Sequence, residues 1–271
     1  MNKPLNKAVI MARGLGTRMR KESGVALTEE QRRVAETGVK GMISVGRPFL
    51  DYVLTALADA GYASACLVIG PEHTQIRDYY SKTVRPTRIA VEFAIQPEPL
   101  GTANAVASAE NYAQDDPFLV INSDNYYPAE ALRLLQSLTG MGLIAFEREA
   151  LLRGSNIPAE RVAQFAVIQR NEHGDLLDII QKPGVAFVES LKPPVWISMN
   201  CWRLGPAIFE ACRSIEKSPR GEYELVNAVR WCIKRNHLFE IAEIHAPVLD
   251  LSSQLDIEPV TRMLSSTIVN L

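Results

Sequence analysis

The chain has 271 residues, 47% of them hydrophobic, and its 29 basic and 31 acidic residues leave a net charge of −2. That length suffices for one large core or a core with an appended lobe, and the near-neutral charge excludes a general pull toward nucleic acid or an anionic membrane surface. No apolar stretch approaches membrane-spanning length, no signal peptide fits ahead of the first strand, and Cys66, Cys201, Cys212 and Cys232 lack metal-ligand spacing, so a cytoplasmic protein with buried free thiols is expected.

Residues 8–11 are apolar without alternation, as in a strand covered on both faces. They run into Gly14-Leu15-Gly16-Thr17-Arg18, where glycines allow a tight loop and Arg18 adds a phosphate-matching fork. Residues 19–39 are charged and polar, with 29–36 potentially helical, and read as a mobile flap over a site and not as a core element. Residues 48–60 have helical apolar spacing and stop at Gly61. A strand at 64–69, a short helix at 72–80 and a strand at 89–95 follow. A loop at 96–101 leads to an alanine-rich helix at 102–112, and a strand at 118–121 ends in Asn122-Ser123-Asp124-Asn125. The alternation of strand and helix predicts a doubly wound, mostly parallel α/β sheet. In the second half, 165–170 and 176–181 read as a hairpin, 195–202 and 238–244 as strands, and 206–212 and 223–235 as helices.

Two common glycine loops are excluded. The dinucleotide fingerprint needs Gly or Ala where Met19 stands, and no Gly-Lys-Ser/Thr occurs for a Walker loop. In open α/β sheets ligands bind beyond the carboxyl ends of the strands, which gathers the glycine loop, the 96–101 loop and Asp124 at one edge. A phosphate loop facing a strand-end carboxylate suits a nucleoside triphosphate with magnesium, and Asp250, closing the last strand-like run, is a second carboxylate of that kind.

From Lys7 to about Ile257 the chain resembles the sugar-1-phosphate nucleotidyltransferases, the makers of nucleotide sugars such as dTDP-glucose and UDP-glucose. The N-terminal signature is similar to Ala12-Arg13-Gly14-Leu15-Gly16-Thr17-Arg18, with Arg13 where glycine is usual. Lys40 stands at the family's next lysine, after Val39 where proline is usual. The nucleobase loop resembles Gln96-Pro97-Glu98-Pro99-Leu100-Gly101-Thr102-Ala103, and the metal-binding Gly-Asp-Asn resembles Ser123-Asp124-Asn125. Gln181-Lys182-Pro183 resembles a Glu-Lys-Pro, Ser198-Met199-Asn200-Cys201-Trp202 an asparagine-bearing strand, and Gly221-Glu222-Tyr223-Glu224-Leu225 a common family segment. Asp250 looks like the second metal aspartate.

The resemblance implies a glycosyltransferase-A-like single domain spanning residues 1–271. In it residues 1–140 bind nucleotide and 141–271 bind the sugar phosphate, and the acyltransferase repeat domain of some relatives is lacking. It implies condensation of an NTP, dTTP or UTP foremost, with a sugar 1-phosphate to give an NDP-sugar and pyrophosphate. Arg18, Lys40 and Lys182 would be catalytic, and Mg2+ would be held by Asp124 and Asp250. Ala12, Gly14, Leu15, Gly16, Thr17, Gln96, Gly101 and Thr102 would hold the nucleotide. Ala166, Gln181, Asn200 and Glu222 would face the sugar, with Ala166 replacing a glycine and Trp202 adding a ring beside Asn200. Relatives are often dimers or tetramers, so a homo-oligomer is compatible. Guanylyl transfer to a modified sugar or cyclitol 1-phosphate, and a catalytically lapsed regulatory relative, are the alternatives; a glycosyltransferase is disfavoured because its Asp-x-Asp is missing.

Overall fold

A computed structural model describes residues 3–271. Its strands in chain order are β1 (Lys7–Met11), β2 (Ser64–Ile69), β3 (Ala90–Ile95), β4 (Phe118–Asn122), β5 (Asn125–Tyr126), β6 (Met141–Glu147), β7 (Ala166–Arg170), β8 (Leu176–Ile180), β9 (Trp196–Leu204), β10 (Phe239–Ile244) and β11 (Leu249–Asp250). The main sheet runs β10-β6-β9-β4-β1-β2-β3, with the β7–β8 hairpin attached through β9. The first-half strands β1, β2, β3 and β4 are mutually parallel, as is the β6–β10 pair, while β9 is antiparallel to β4, β6 and β7.

The unbroken apolar run of β1 has the expected cause. Ala8 and Ile10 belong to one hydrophobic core and Val9 and Met11 to the other, on the two faces of the sheet. Phe118 and Val120 of β4 likewise face away from Leu119 and Ile121. The alanine-rich helix is shorter than its pattern suggests: Thr102–Ser108 breaks at Ala109 before a second turn, Glu110–Ala113. Around the middle of the chain the structure adds the helix Ala129–Gln136 and, opening the second half, β6, neither of which the residue pattern predicts. Both hairpin strands and the helix Leu225–Ile233 fall within their expected segments.

The expectation of a free flap at residues 19–39 is overturned. Met19, Val34 and Ala35 are buried in the larger core, at 0%, 3% and 1% exposure. The helix Glu29–Thr37 begins with a complete capping box, in which Thr28 Oγ1 accepts from the Gln31 N–H and Gln31 Oε1 accepts from the Thr28 N–H. The charged residues at 29–36 mislead because they occupy the outer face of an anchored amphipathic helix.

One buried charge organises the parallel half. Asp51, in the first turn of the helix Phe49–Asp59, is fully buried and accepts from Tyr80 Oη at 2.8 Å, Tyr79 Oη at 2.9 Å and Arg47 Nε at 3.1 Å. Tyr80→Phe removes a donor from this enclosed carboxylate and should lower unfolding free energy by about 1–3 kcal/mol in urea titrations; an unchanged midpoint would show that Asp51 is satisfied without it.

Candidate active site

Strands β1 and β4 run in register, with Met11 opposite Asn122, so the segments leaving them emerge side by side. Ser123 N–H donates to the Met11 carbonyl and Ala12 N–H to that of Val68. Beyond these strand ends lies a cleft of about 420 Å³. Ala12, Gly14, Leu15 and Arg18 line one wall, Gln96, Gly101 and Thr102 another, and Lys40, Asp124, Asn200 and Glu222 complete it. Gly16 and Thr17 do not line it.

Gly16 has a different task. Its φ is +61°, and a side chain there would strike the backbone of Gly38, itself at φ +76°. Gly38 caps the helix Glu29–Thr37, and a Cβ on it would lie 2.6 Å from the Leu15 carbonyl. Two glycine backbones therefore cross in contact, which fixes the glycine loop against the segment that delivers Lys40. Lys40 Nζ donates to Asp124 Oδ2 at 2.6 Å, with side-chain exposures of 16% and 18%.

The 96–101 loop is held from inside. Gln96 is buried, and its Nε2 donates to the Gly101 carbonyl at 3.1 Å and Asn104 Oδ1 at 2.8 Å. A backbone carbonyl can only accept, so the amide orientation is fixed and Oε1 is left as the acceptor for a ligand. Gly101, at φ +112°, leaves no room for a Cβ, which would sit 2.6 Å from the Tyr223 carbonyl. Two hydrogen bonds, Ala103 N–H to Tyr223 O and Tyr223 N–H to Leu100 O, clip the 221–224 segment onto this loop and bring Glu222 to the cleft. Thr102 Oγ1 also accepts from the Leu225 N–H at 2.8 Å, which starts the helix Leu225–Ile233.

Ala166, Gln181 and Lys182 line a second cavity of about 210 Å³. Asn200 and Arg220 line both cavities and so mark their junction. Arg220 and Glu224 escaped the reading of the residues because tertiary contacts alone reveal them. Gln181 Nε2 donates to Glu224 Oε2 at 2.9 Å. Burial raises the Glu224 carboxyl, but hydrogen bonds from Ser218 and Gln181 and the charge of Arg220 outweigh it and hold the group below the usual carboxylate range. Lys182 and Asn200 sit at φ +47° and +58°, left-handed backbone that side chains other than Gly, Asn and Asp adopt at a cost. Trp202, expected to add a ring to the pocket beside Asn200, adds none. It is fully buried in the smaller core and lines neither cavity.

Asp250 lies behind Asp124 and does not line the cleft. It pairs with Asn125 across β5 and β11, and Leu251 N–H donates to the Asp124 carbonyl. Its carboxylate accepts from Ser252 Oγ and Asn125 Nδ2 and lies 3.1 Å from an Arg161 nitrogen. Burial first, and the Asp124 charge second, push its carboxyl up to about 6. A buried carboxyl raised by a neighbouring carboxylate that opens on the cleft fits a hard cation that keeps waters and takes its other ligands from phosphates. Among the described residues no cluster of three or more His, Cys, Asp or Glu side chains forms a closed cage. All four cysteines are free and buried, with Cys66 and Cys212 pushed up to about 12 by burial, so none offers a ready thiolate.

The chain belongs to the nucleotidyl transferase family, whose defining pattern matches residues 7–243. It is 26% identical over 247 residues to a UTP–glucose-1-phosphate uridylyltransferase, AglF, of Haloferax volcanii, covering 90% of each chain. It is 25% identical over 262 residues to a glucose-1-phosphate thymidylyltransferase of Streptomyces griseus, covering 96% of this chain and 66% of that one. Against the bifunctional protein GlmU of Methanococcus vannielii, at 26% identity, it spans about half the relative's length, 49%. A solved UDP-glucose pyrophosphorylase bound to UDP-glucose superposes with a TM-score of 0.75 at 19% identity, covering 97% of this chain and 100% of that one. An inositol-1-phosphate CTP transferase from T. maritima gives 0.71 at 15%, covering 98% and 97%. These two structures establish a shared fold. No helix among the described residues is long and apolar enough to cross a membrane.

The left-handed lysine carries a stability consequence separable from its charge. Lys182→Gly should be about 1 kcal/mol more stable than Lys182→Ala, since only alanine retains the strained Cβ. Paired denaturant titrations of the two variants decide it, and equal stability would place no strain at Lys182.

Proposed function

We propose that the protein condenses a nucleoside triphosphate, UTP or dTTP foremost, with a sugar 1-phosphate, giving an NDP-sugar and pyrophosphate. The observation that carries this reading is the junction at Asn200 and Arg220 of two cavities. One carries Arg18 and the Lys40–Asp124 pair, the other Lys182. Two phosphorylated substrates would thus meet at one shared wall. The relatives named for uridylyl and thymidylyl transfer to glucose 1-phosphate support the same chemistry.

A phosphate oxygen of the sugar 1-phosphate attacks the α-phosphorus of the NTP, and pyrophosphate leaves from the opposite side. No protein nucleophile is required, only in-line positioning and charge neutralisation. Arg18 and Lys40 hold the triphosphate and stabilise the departing pyrophosphate. Lys182, with Arg220 at the junction, holds the incoming phosphate. Gln96 Oε1 and the Gly101 backbone read the base, while Asn200 and Glu222 contact the sugar. Asp124 and Asp250 would hold a magnesium ion, whose chemistry is to neutralise phosphate charge.

The acceptor end favours something other than plain glucose 1-phosphate. The family glutamate is replaced by Gln181, whose amide is committed to Glu224, and the Ala166 methyl occupies the cavity wall. A modified sugar or cyclitol 1-phosphate suits such a wall better.

Pyrophosphate release with magnesium across panels of NTPs and sugar or cyclitol phosphates tests the reading. Release with no pair would overturn it, and a wide preference for glucose 1-phosphate would remove the role given to Gln181 and Ala166. Asp124→Asn should stay folded yet lose orders of magnitude in turnover; near-normal turnover at any magnesium concentration removes Asp124 from the mechanism. Arg18→Ala should chiefly impair NTP use and Lys182→Ala use of the sugar phosphate, each by roughly 1.5–3 kcal/mol in kcat/KM. A Lys182→Ala defect confined to the NTP would reverse the assignment.

A further inference from the structure

Arg13 occupies a signature position where the sequence resemblance has glycine, and the cleft is built to admit it. Its side chain is only 8% exposed and lines the cleft just past β1. One terminal nitrogen, Nη2, makes all its contacts: both Glu72 carboxylate oxygens at 3.2 Å and the Pro97 carbonyl at 3.0 Å. Nε and Nη1 are buried and have no hydrogen-bond partner among the described residues. Leaving charged donors buried and unsatisfied is costly, so this cleft-lining guanidinium would gain an acceptor by turning Nε or Nη1, now enclosed, toward a ligand. Gly70 makes the space, since a Cβ there would fall 2.5 Å from Arg13 Nε.

The surroundings narrow the acceptor. Glu72 neutralises the guanidinium locally, and its carboxylate would repel a polyanion, so this end of the cleft suits an uncharged group. Arg18 and Lys40, the latter paired with Asp124, lie elsewhere in the cleft and are the cations offered to phosphates. Pro97 belongs to the same loop as Gln96, whose free Oε1 takes a donor. The cleft therefore presents both a donor and an acceptor to a neutral ligand. Uracil and thymine carry a ring N–H flanked by carbonyls and satisfy both at once, whereas adenine has no carbonyl and turns an amino donor outward.

We propose that Arg13 determines nucleotide specificity by donating from Nε or Nη1 to a carbonyl oxygen of the base, favouring UTP and dTTP over ATP. This rests on the transferase reading above. The contrary view is that Arg13 is a strut joining the loops after β1, β2 and β3 through Glu72 and Pro97.

The test compares Arg13→Gly and the bulk-preserving Arg13→Gln with the parent, using UTP, dUTP and ATP at saturating acceptor. Both variants should lose roughly 10- to 100-fold in kcat/KM for UTP and dUTP alike and less than about threefold for ATP, with the acceptor KM unchanged. A parallel fall for UTP and ATP would identify a strut, and a changed UTP-to-dUTP ratio a ribose contact; either overturns the proposal, as does an unaltered UTP-to-ATP ratio. Calorimetric binding of UTP and ATP to the same proteins gives a readout free of turnover. A parent that binds UTP but transfers nothing would sink the transferase reading, and the binding ratio would still decide the role of Arg13.

Discussion

The ion pair between Lys40 and Asp124 is the contact on which the cleft depends. It joins the end of β4 to the segment that crosses the glycine loop at Gly16 and Gly38, so breaking it would loosen two walls together. Both partners are mostly shielded, which makes either one alone expensive. In the transferase reading, phosphates that recruit Lys40 would leave Asp124 an uncompensated carboxylate beside Asp250, whose carboxyl is already pushed up by burial and by that neighbour. This is the electrostatic reason a strand-end pair of aspartates goes with a divalent cation in the transferase reading.

The parallel half of the fold was legible because its strands are buried on both faces and its breaks are marked by glycine. Residues 64–69 reproduce the observed β2 limits, and β1, β3 and β4 differ from expectation by one residue at an end. The second half was less legible. Strand β6 sits between β9 and β10, and its membership in the sheet is decided by antiparallel and long-range partners that local pattern does not announce. The flap was misjudged because composition reports exposure of a helix's outer face and says nothing about Met19, Val34 and Ala35 beneath it.

Trp202 shows that periodicity gives a residue's face and not its depth. In a regular strand Asn200 and Trp202 share a face, so placing the ring beside the asparagine was the natural inference. The β6–β9 register shifts between Leu143 and Ala145 and Asn200 adopts a left-handed conformation, yet alternation persists: Ile197, Met199 and Cys201 belong to the larger core, Trp202 and Leu204 to the smaller. Cys201 and Trp202 are both fully buried because the strand is covered on both faces, while Asn200 lies at the junction of the two cavities. The left-handed backbone and the register shift thus coincide at the residue of this strand that borders both cavities.

The departures from the family pattern are distributed unevenly. The charged residues Arg18, Lys40, Asp124, Lys182 and Asp250 keep the expected types, whereas Arg13, Val39, Ser123, Ala166 and Gln181 differ, all but Val39 on cavity walls. Phosphoryl transfer explains such a division, because its barrier falls with charges held at fixed points and each loss is felt in every turnover. Walls tolerate exchange when a compensating neighbour exists. Arg13 has Gly70 for space and Glu72 for charge, and Gln181 has Glu224 to hold its amide. A substitution accompanied by its own support is the mark of a retuned pocket and not of a decaying one, which weighs against the lapsed, regulatory alternative.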